Sequence, residues 1–420
     1  LVGSEMCIRD RVDGHWTLEQ GLPDIERELP ESVRGMIERK IGQLGDDDRR
    51  LLAAASVQGA AFDSAVLAGV LDLPSDQVEE RLDHMERVHA FVKLAGEAEL
   101  PDRTLTLRYQ FVHVLYQNAL YASLRATRKA TLSRELGQAL ERVHGEERAG
   151  VAHELATLYE VGRDFARAAE HYLAAAGQAS RVFADREAAA LATQGLAAIE
   201  RLDPSPERAQ RELELHLALG LALRGARGFG HPDTGAAYSR ARELCHEIGD
   251  APQLFPVLFG LWEFSQNQGD LEAAVDVAGQ MLALAERGRD AGHLVAAHGV
   301  MADNLLCVGD PAPAIAHAVQ AIDHYDPDEH RSLASLFGYD PAVSAHCLGA
   351  VAQWLAGHPD QAIRGCGAGA DLAGTLSHPP SAAFGALFSA WIRRWTGSLE
   401  AAERSADRCV EVATEFELPP

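Results

Sequence analysis

Residues 309–314 read GDPAPA, a turn residue followed five positions later by a small side chain. The same phrase returns as RDFARA (Arg163 to Ala168), ADREAA (Ala184 to Ala189), GDLEAA (Gly269 to Ala274), GHPDQA (Gly357 to Ala362) and GSLEAA (Gly397 to Ala402). GHPDTG from Gly230 is a weaker copy. The last four turns begin at 269, 309, 357 and 397, so the steps are 40, 48 and 40 residues. An apolar helical run stands before each turn, as in LFPVLFGLWEFSQNQ (254–268) and PAVSAHCLGAVAQWLA (341–356). Glycine ends the first helix because it enters the left-handed region without a Cβ clash. The small residue then lets the second helix approach the first closely.

Such a series is the mark of a helix-hairpin solenoid of tetratricopeptide type with an enlarged repeat, here spanning 146–420. Ahead of it the pattern differs. PESVRGMIERKIGQL (30–44) places Val33, Met36, Ile37, Ile41 and Leu44 on one helix face. DDDRRLLAAASVQG (46–59) carries three acids at its start and a terminal glycine, as helix polarity prefers. Two more helical runs follow, then HAFVKLAG (89–96) and RTLTLRYQF (103–111), which alternate like the strands of one β-hairpin. Helices closed by a hairpin predict a winged-helix-like domain over 30–121. A helix over 122–145 leads to the repeats, with Leu132, Leu136 and Leu140 in one stripe and Arg128, Lys129 and Arg134 outside it. The expected class is mainly all-α.

Composition narrows function. The 420 residues are 47% hydrophobic, 6% aromatic and carry a formal net charge of −24. Only three of the 38 basic residues are lysine, which GC-rich codon usage explains. The acidic surface repels phosphate backbones. The helix that would read DNA, SDQVEERLDHMERV (75–88), holds more acids than arginines, so no direct nucleic-acid contact is expected. No apolar run reaches the length of a membrane span, and a cytoplasmic protein with reduced, buried cysteines is expected. None of the lysines follows a glycine, so there is no phosphate-cradling Gly-Lys-Ser/Thr, and no nucleophile elbow, kinase loop or metal frame occurs. The chain is expected to have no catalytic residues, cofactor or metal of its own.

LPESVRGMIERKIGQLGDDDRRLLAAASVQGAAFD, then RYQFVHVLYQNALYASL and RATRKATLSRELGQALE, resemble the bacterial signal-transduction ATPases with numerous domains. The resemblance covers about 30–180 by motif and the rest by repeat character. One departure is Ser133, where relatives commonly have His. It implies a regulatory fragment that lies downstream of an ATPase module in cis. In the intact parent that module would hold ATP or ADP with Mg. The winged helix would couple nucleotide state to repeats that bind a protein, peptide or small inducer, with oligomerisation on activation. An alternative parent is a multidomain class III adenylate/guanylate cyclase or an ATP-dependent transcriptional regulator. The opening LVGSEMCIRDR resembles translated sequencing adaptor. Residues 1–12 are expected to be artefact or a disordered terminus, 13–29 a connector, and the repeats to be cut short.

The resemblance points to His113, in QFVHVLYQ, as a nucleotide sensor that contacts the bound diphosphate; a capping or core histidine is the plainer reading. On the repeats, Tyr159, Tyr172, Trp262, Phe264, Trp354, Trp391 and Trp395 are candidates to line a ligand or partner surface, although aromatics at helical spacing usually belong to a core. Arg128, Lys129 and Arg134 are candidates to touch the ATPase module.

Overall fold

The computed structural model describes residues 10–12, 15–17, 31–145, 147–249, 251–416 and 418, with only the backbone of 10–12, 15–17 and 31–34. Most of the expected artefact and connector therefore lies outside the described residues. Within them, Asp10–Val12 (β1) pairs antiparallel with His15–Thr17 (β2). The chain divides into two compact units. One holds the described residues up to Arg148 together with Thr157–Asp164; the other holds Ala149–Ala156 and the described residues from Phe165 onward.

In the first unit, α1 (Glu31–Ile41), α2 (Asp46–Gln58), α3 (Ser64–Leu71) and α4 (Ser75–His84) precede the strands β4 (Val92–Glu99) and β5 (Leu105–Phe111). A short strand β3 (Ala61–Asp63) pairs with β5, giving the antiparallel order β3–β5–β4. The sequence predicted one hairpin. The third strand escapes that reading because three residues are too few to show alternation. Phe62 faces Tyr109 across the ladder and Val92 faces Phe111, and all four are buried. On α1, Ile37 and Leu44 beyond it are buried, but Met36 is 57% exposed, so the expected apolar face is narrower. The acids of α2 do more than favour the helix N-terminus, since Asp47 and Asp48 hold Arg81 of α4 at 3.3 and 3.1 Å. α5 (Val114–Ser123) and α6 (Ala126–His144) complete the unit. Leu132, Leu136 and Leu140 are buried along α6. Gly137 lets that helix meet the Tyr159 ring, where a Cβ would lie 3.0 Å from the ring.

α7 (Ala152–Val161) contributes residues to both units. The second unit pairs α8 (Phe165–Arg181) with α9 (Asp185–Ile199), α10 (Pro206–Arg227) with α11 (Pro232–Ile248), and α12 (Leu254–Asn267) with α13 (Leu271–Gly288). α14 (Ala291–Cys307) then pairs with α15 (Pro311–His324), α18 (Pro341–Leu355) with α19 (Pro359–Thr375), and α20 (Pro379–Trp395) with α21 (Leu399–Glu415). The first helix of a pair also touches the first helix of a neighbouring pair, as α8 with α10, α10 with α12, α14 with α18 and α18 with α20. The enlarged step holds two short helices, α16 (Pro327–His330) and α17 (Leu333–Phe337). Turn glycines 269, 309, 357 and 397 have φ between 78° and 86°. Pro at the first turn of α15, α18, α19 and α20 pre-sets helical φ where no N–H bond is lost.

Five residues after those glycines, Ala274, Ala314, Ala362 and Ala402 are buried, as are Ala168 and Gly235. ADREAA is the exception. Its left-handed turn residue is Phe183 at φ 59°, one position before Ala184, so Ala188 is buried while Ala189 is only half-buried. The cysteines also depart from expectation. Cys245, Cys347 and Cys366 are buried, but Cys409 is half-buried and Cys307 exposed, and all five are free.

Histidines pair between α14 and α15. His298 and His317 share a 2.8 Å hydrogen bond through their Nδ1 atoms, and His324 stacks on His298 at 6.0 Å. Burial first, then the charges of His317 and His324, hold His298 down to about 4.

Two outcomes follow from this packing. Ala314→Leu overfills the α14–α15 contact and should lower unfolding free energy by about 1–3 kcal/mol, whereas Val319→Ala on the exposed side should not. A denaturation midpoint unchanged in Ala314→Leu contradicts the register. For His298, the unfolded ring titrates near pH 6.5, so the unfolded state takes the proton more readily. Its contribution is present above about pH 6.5 and is lost as pH falls toward 4. Melting temperature should therefore fall less steeply over that range in His298→Gln than in the wild type; parallel curves contradict the assignment.

Candidate functional site

The most unusual chemistry of the second unit centres on Arg224, near the end of α10. Arginine is rarely buried, yet this residue is 4% exposed. Its Nη1 donates to Glu263 Oε2 of α12 at 2.6 Å, and Glu263 is itself 5% exposed. Nη2 donates to the main-chain carbonyl of Phe337, at the end of α17. Phe229 lies 5.8 Å from the guanidinium carbon. Burial works against the charge, but Glu263 with Tyr238 and Tyr339 outweighs it and keeps the guanidinium pKa above its ordinary value. The ring of ionisable groups around it responds to the same burial. Tyr238 is pushed up to about 12. The Asp185 carboxyl is raised by burial against the opposing pull of Arg224. His378 is held down to about 4, by burial and then by the Arg224 charge.

Two glycines make room for this arrangement. A Cβ on Gly225 would collide with the Asp185 carboxylate, and one on Gly338 would collide with the Arg224 guanidinium. Beside the pair lies a cavity of about 380 Å³, within the size range of small-ligand pockets. Glu214, Leu217, Arg224, Gln253, Phe259 and Leu336 contribute to its wall. Gln253 Oε1 is buried without a hydrogen-bond partner, which leaves an acceptor for a ligand donor. On α14, Asp303 is pushed up to about 6 by burial, although hydrogen bonds from Gln266 and Cys307 oppose the rise. The centre can bind and orient a polar group by charge-assisted hydrogen bonding. Among the described residues no cluster of His, Cys, Asp and Glu is arranged to hold a metal ion. No described helix is long and apolar enough to cross a membrane.

The aromatics named from sequence scatter. Tyr159, in the first unit, is buried, as are Tyr172 and Trp262. Trp262 donates from Nε1 to Asn304 Oδ1 at 3.2 Å. Phe264 is half-buried, its ring filling the space a Cβ on Gly235 would need. Trp354, Trp391 and Trp395 do come together. Trp354 and Trp395 rings sit 4.8 Å apart and Trp391 lies 6.2 Å from Trp395. Trp391 and Trp395 are more than 40% exposed.

In the first unit, His113 is an exposed N-cap whose Nδ1 accepts from the Leu115 N–H at 3.1 Å. Arg128 and Arg134 are exposed, while Lys129 lies over the Tyr121 ring at 4.1 Å.

No family model matches the chain, and no curated protein matches it. Solved structures do. Aspartyl phosphate phosphatase F from Bacillus subtilis is 10% identical, with 91% of this chain and 88% of that one covered and a TM-score of 0.50. A signal-transduction ATPase with numerous domains and a tetratricopeptide repeat sensor, from Pyrococcus horikoshii, is 12% identical, with 95% and 67% covered and a TM-score of 0.43. A Rap protein complexed with competence and sporulation factor is 16% identical, with 60% and 78% covered and a TM-score of 0.43. At such identities the likeness concerns fold. The chain is mainly α-helical, with a small three-stranded sheet and a tetratricopeptide-like helical repeat.

Proposed function

We propose that this chain is the sensor and coupler part of a bacterial signal-transduction ATPase. The repeats bind a peptide, protein or small inducer. The winged-helix unit couples that event to an ATPase module in cis, which holds ATP or ADP with Mg in the intact parent. The observation that carries the reading is the ligand-sized cavity beside the buried Arg224–Glu263 pair in the helical repeats. The sequence supports it through the stretches that resemble that ATPase family from about residue 30 to 180. His113 fits the role of nucleotide sensor through Nε2, because the helix cap uses only Nδ1.

Calorimetry on this chain should show no Mg-ATP binding in the micromolar range; a micromolar site contradicts the assignment. In the intact parent, Leu217→Trp should fill the cavity and abolish inducer-stimulated hydrolysis while sparing basal hydrolysis. Stimulation unchanged in that variant removes the cavity from the account. His113→Asn keeps a capping oxygen and removes the ring N–H. It should speed ADP loss in the parent, and wild-type retention of ADP would refute the sensor role.

A further inference from the structure

The longer of the repeat steps raises a question the regular steps do not. Elsewhere short links suffice, as Arg289–Asp290 between α13 and α14. Between α15 and α18 the chain takes residues 325–340 instead. The base of this segment is closed on itself. Tyr325 donates its hydroxyl to Asp340 Oδ2 at 2.8 Å. Asp340 Oδ1 meanwhile accepts from the N–H groups of Ala342 and Val343 and so caps α18. The base therefore belongs to the repeat framework whatever the far end does.

The far end reaches back to α10 and α12. The Phe337 ring is fully buried, 4.6 Å from Phe259 and 6.0 Å from Phe255. Its carbonyl accepts from Arg224, a residue 113 positions earlier. Gly338 stands at φ 77°, where a side chain would be strained and would strike the guanidinium. The Tyr339 ring lies 5.9 Å from Phe259 and stacks on Phe384 at 5.3 Å. Between these anchors Arg331, Ser332, Ser335 and Leu336 are exposed, and Ser335 and Leu336 edge the cavity. The segment thus engages the site with the Phe337 ring and its main-chain carbonyl, while Leu333 and Tyr339 pack against the same core and Ala334 is buried. A peptide offers the same groups. Arg224 keeps Glu263 as its charge partner when the carbonyl leaves, and the incoming ligand carbonyl takes over the freed Nη2 donor.

Resting on the reading of the repeats as an inducer-binding scaffold, we propose that residues 331–339 are a built-in pseudo-ligand. The segment occupies the Arg224–Glu263 site, and the ligand that displaces it is a peptide presenting an aromatic side chain followed by a free carbonyl and a small residue. An intramolecular occupant acts at high effective concentration, and a competitor sees its affinity reduced by the fraction of open sites.

The test uses the segment itself. A fluorescent peptide RSLASLFGYD, copied from 331–340, is titrated by anisotropy into the full chain and into a full-chain variant whose residues 331–339 are replaced by a Gly/Ser linker of equal length. The peptide should bind the linker variant at least about tenfold more tightly than the wild type. A peptide with Ala at the position of Phe337 should not bind it. Equal binding to both chains, or no binding to a variant that retains the wild-type circular dichroism, overturns the proposal. Where the linker variant fails to fold, Gly338→Ala replaces it, since the added methyl forces the segment off Arg224 while leaving the base intact. Its amides at 333–339 should then exchange with deuterium faster than in the wild type, and unchanged exchange overturns the proposal. The trial uses no foreign inducer. A negative result removes the pseudo-ligand and leaves the inducer reading to the hydrolysis experiment on the parent.

Discussion

The buried ion pair between Arg224 and Glu263 is the contact on which the second unit turns. Taking two charges out of water is costly, and attraction offsets that cost only when geometry is close and the remaining donors are met. Here Nη1 meets the carboxylate at 2.6 Å, Nη2 meets the Phe337 carbonyl, and tyrosines 238 and 339 stand nearby. One side chain of α10 thereby ties α12 and the 325–340 segment into a single arrangement. Apolar residues there would also have packed, but without fixing which carbonyl sits where. The neighbouring glycines, 225 and 338, are small because the guanidinium and the Asp185 carboxylate occupy the space beside them.

Around that centre the repeats obey a simpler rule. At most turns a left-handed residue ends one helix, and five positions later a small residue meets it; before α11 the positive-φ residue is instead Gly228, seven positions ahead of Gly235. The rule is blind to whether glycine supplies the left-handed φ. At Arg163 and Phe183 a side chain is carried there, at φ 58° and 59°. The rule is interrupted once at length. The step of 48 residues adds a loop whose ends are held by Tyr325 and Asp340, and whose tip becomes part of the cavity wall.

Much of the fold was legible because periodicity records burial. GDLEAA, GDPAPA, GHPDQA and GSLEAA each located a buried alanine, and the apolar stripe of α6 located Leu132, Leu136 and Leu140. In ADREAA the reading slipped by one position, since nothing in the string marks Phe183 as the turn residue. β3 was missed because three residues, AFD, carry no period. The site was far less legible. Arg224 in LRGARGFG looks like an ordinary cation at a helix end, and its partner in the 325–340 segment is a main-chain carbonyl, which no residue type announces. One signal was present, the lone carboxylate Glu263 within the apolar run LFPVLFGLWEF. Of the aromatics, Tyr159, Tyr172 and Trp262 fill cores, as large rings most often do, while Trp391 and Trp395 stay exposed beside Trp354.

The central claim is that Arg224 and Glu263 act as one buried unit, and a double-mutant cycle measures it most directly. Chemical denaturation would be followed for Arg224→Met, Glu263→Leu and the pair together. Each single change strands a buried charge and should lower unfolding free energy by about 3–5 kcal/mol. The double variant, with neither charge left, should lose less than either single, giving a large coupling term. Losses that simply add would show that the two side chains sit near each other without depending on each other, and would contradict the account.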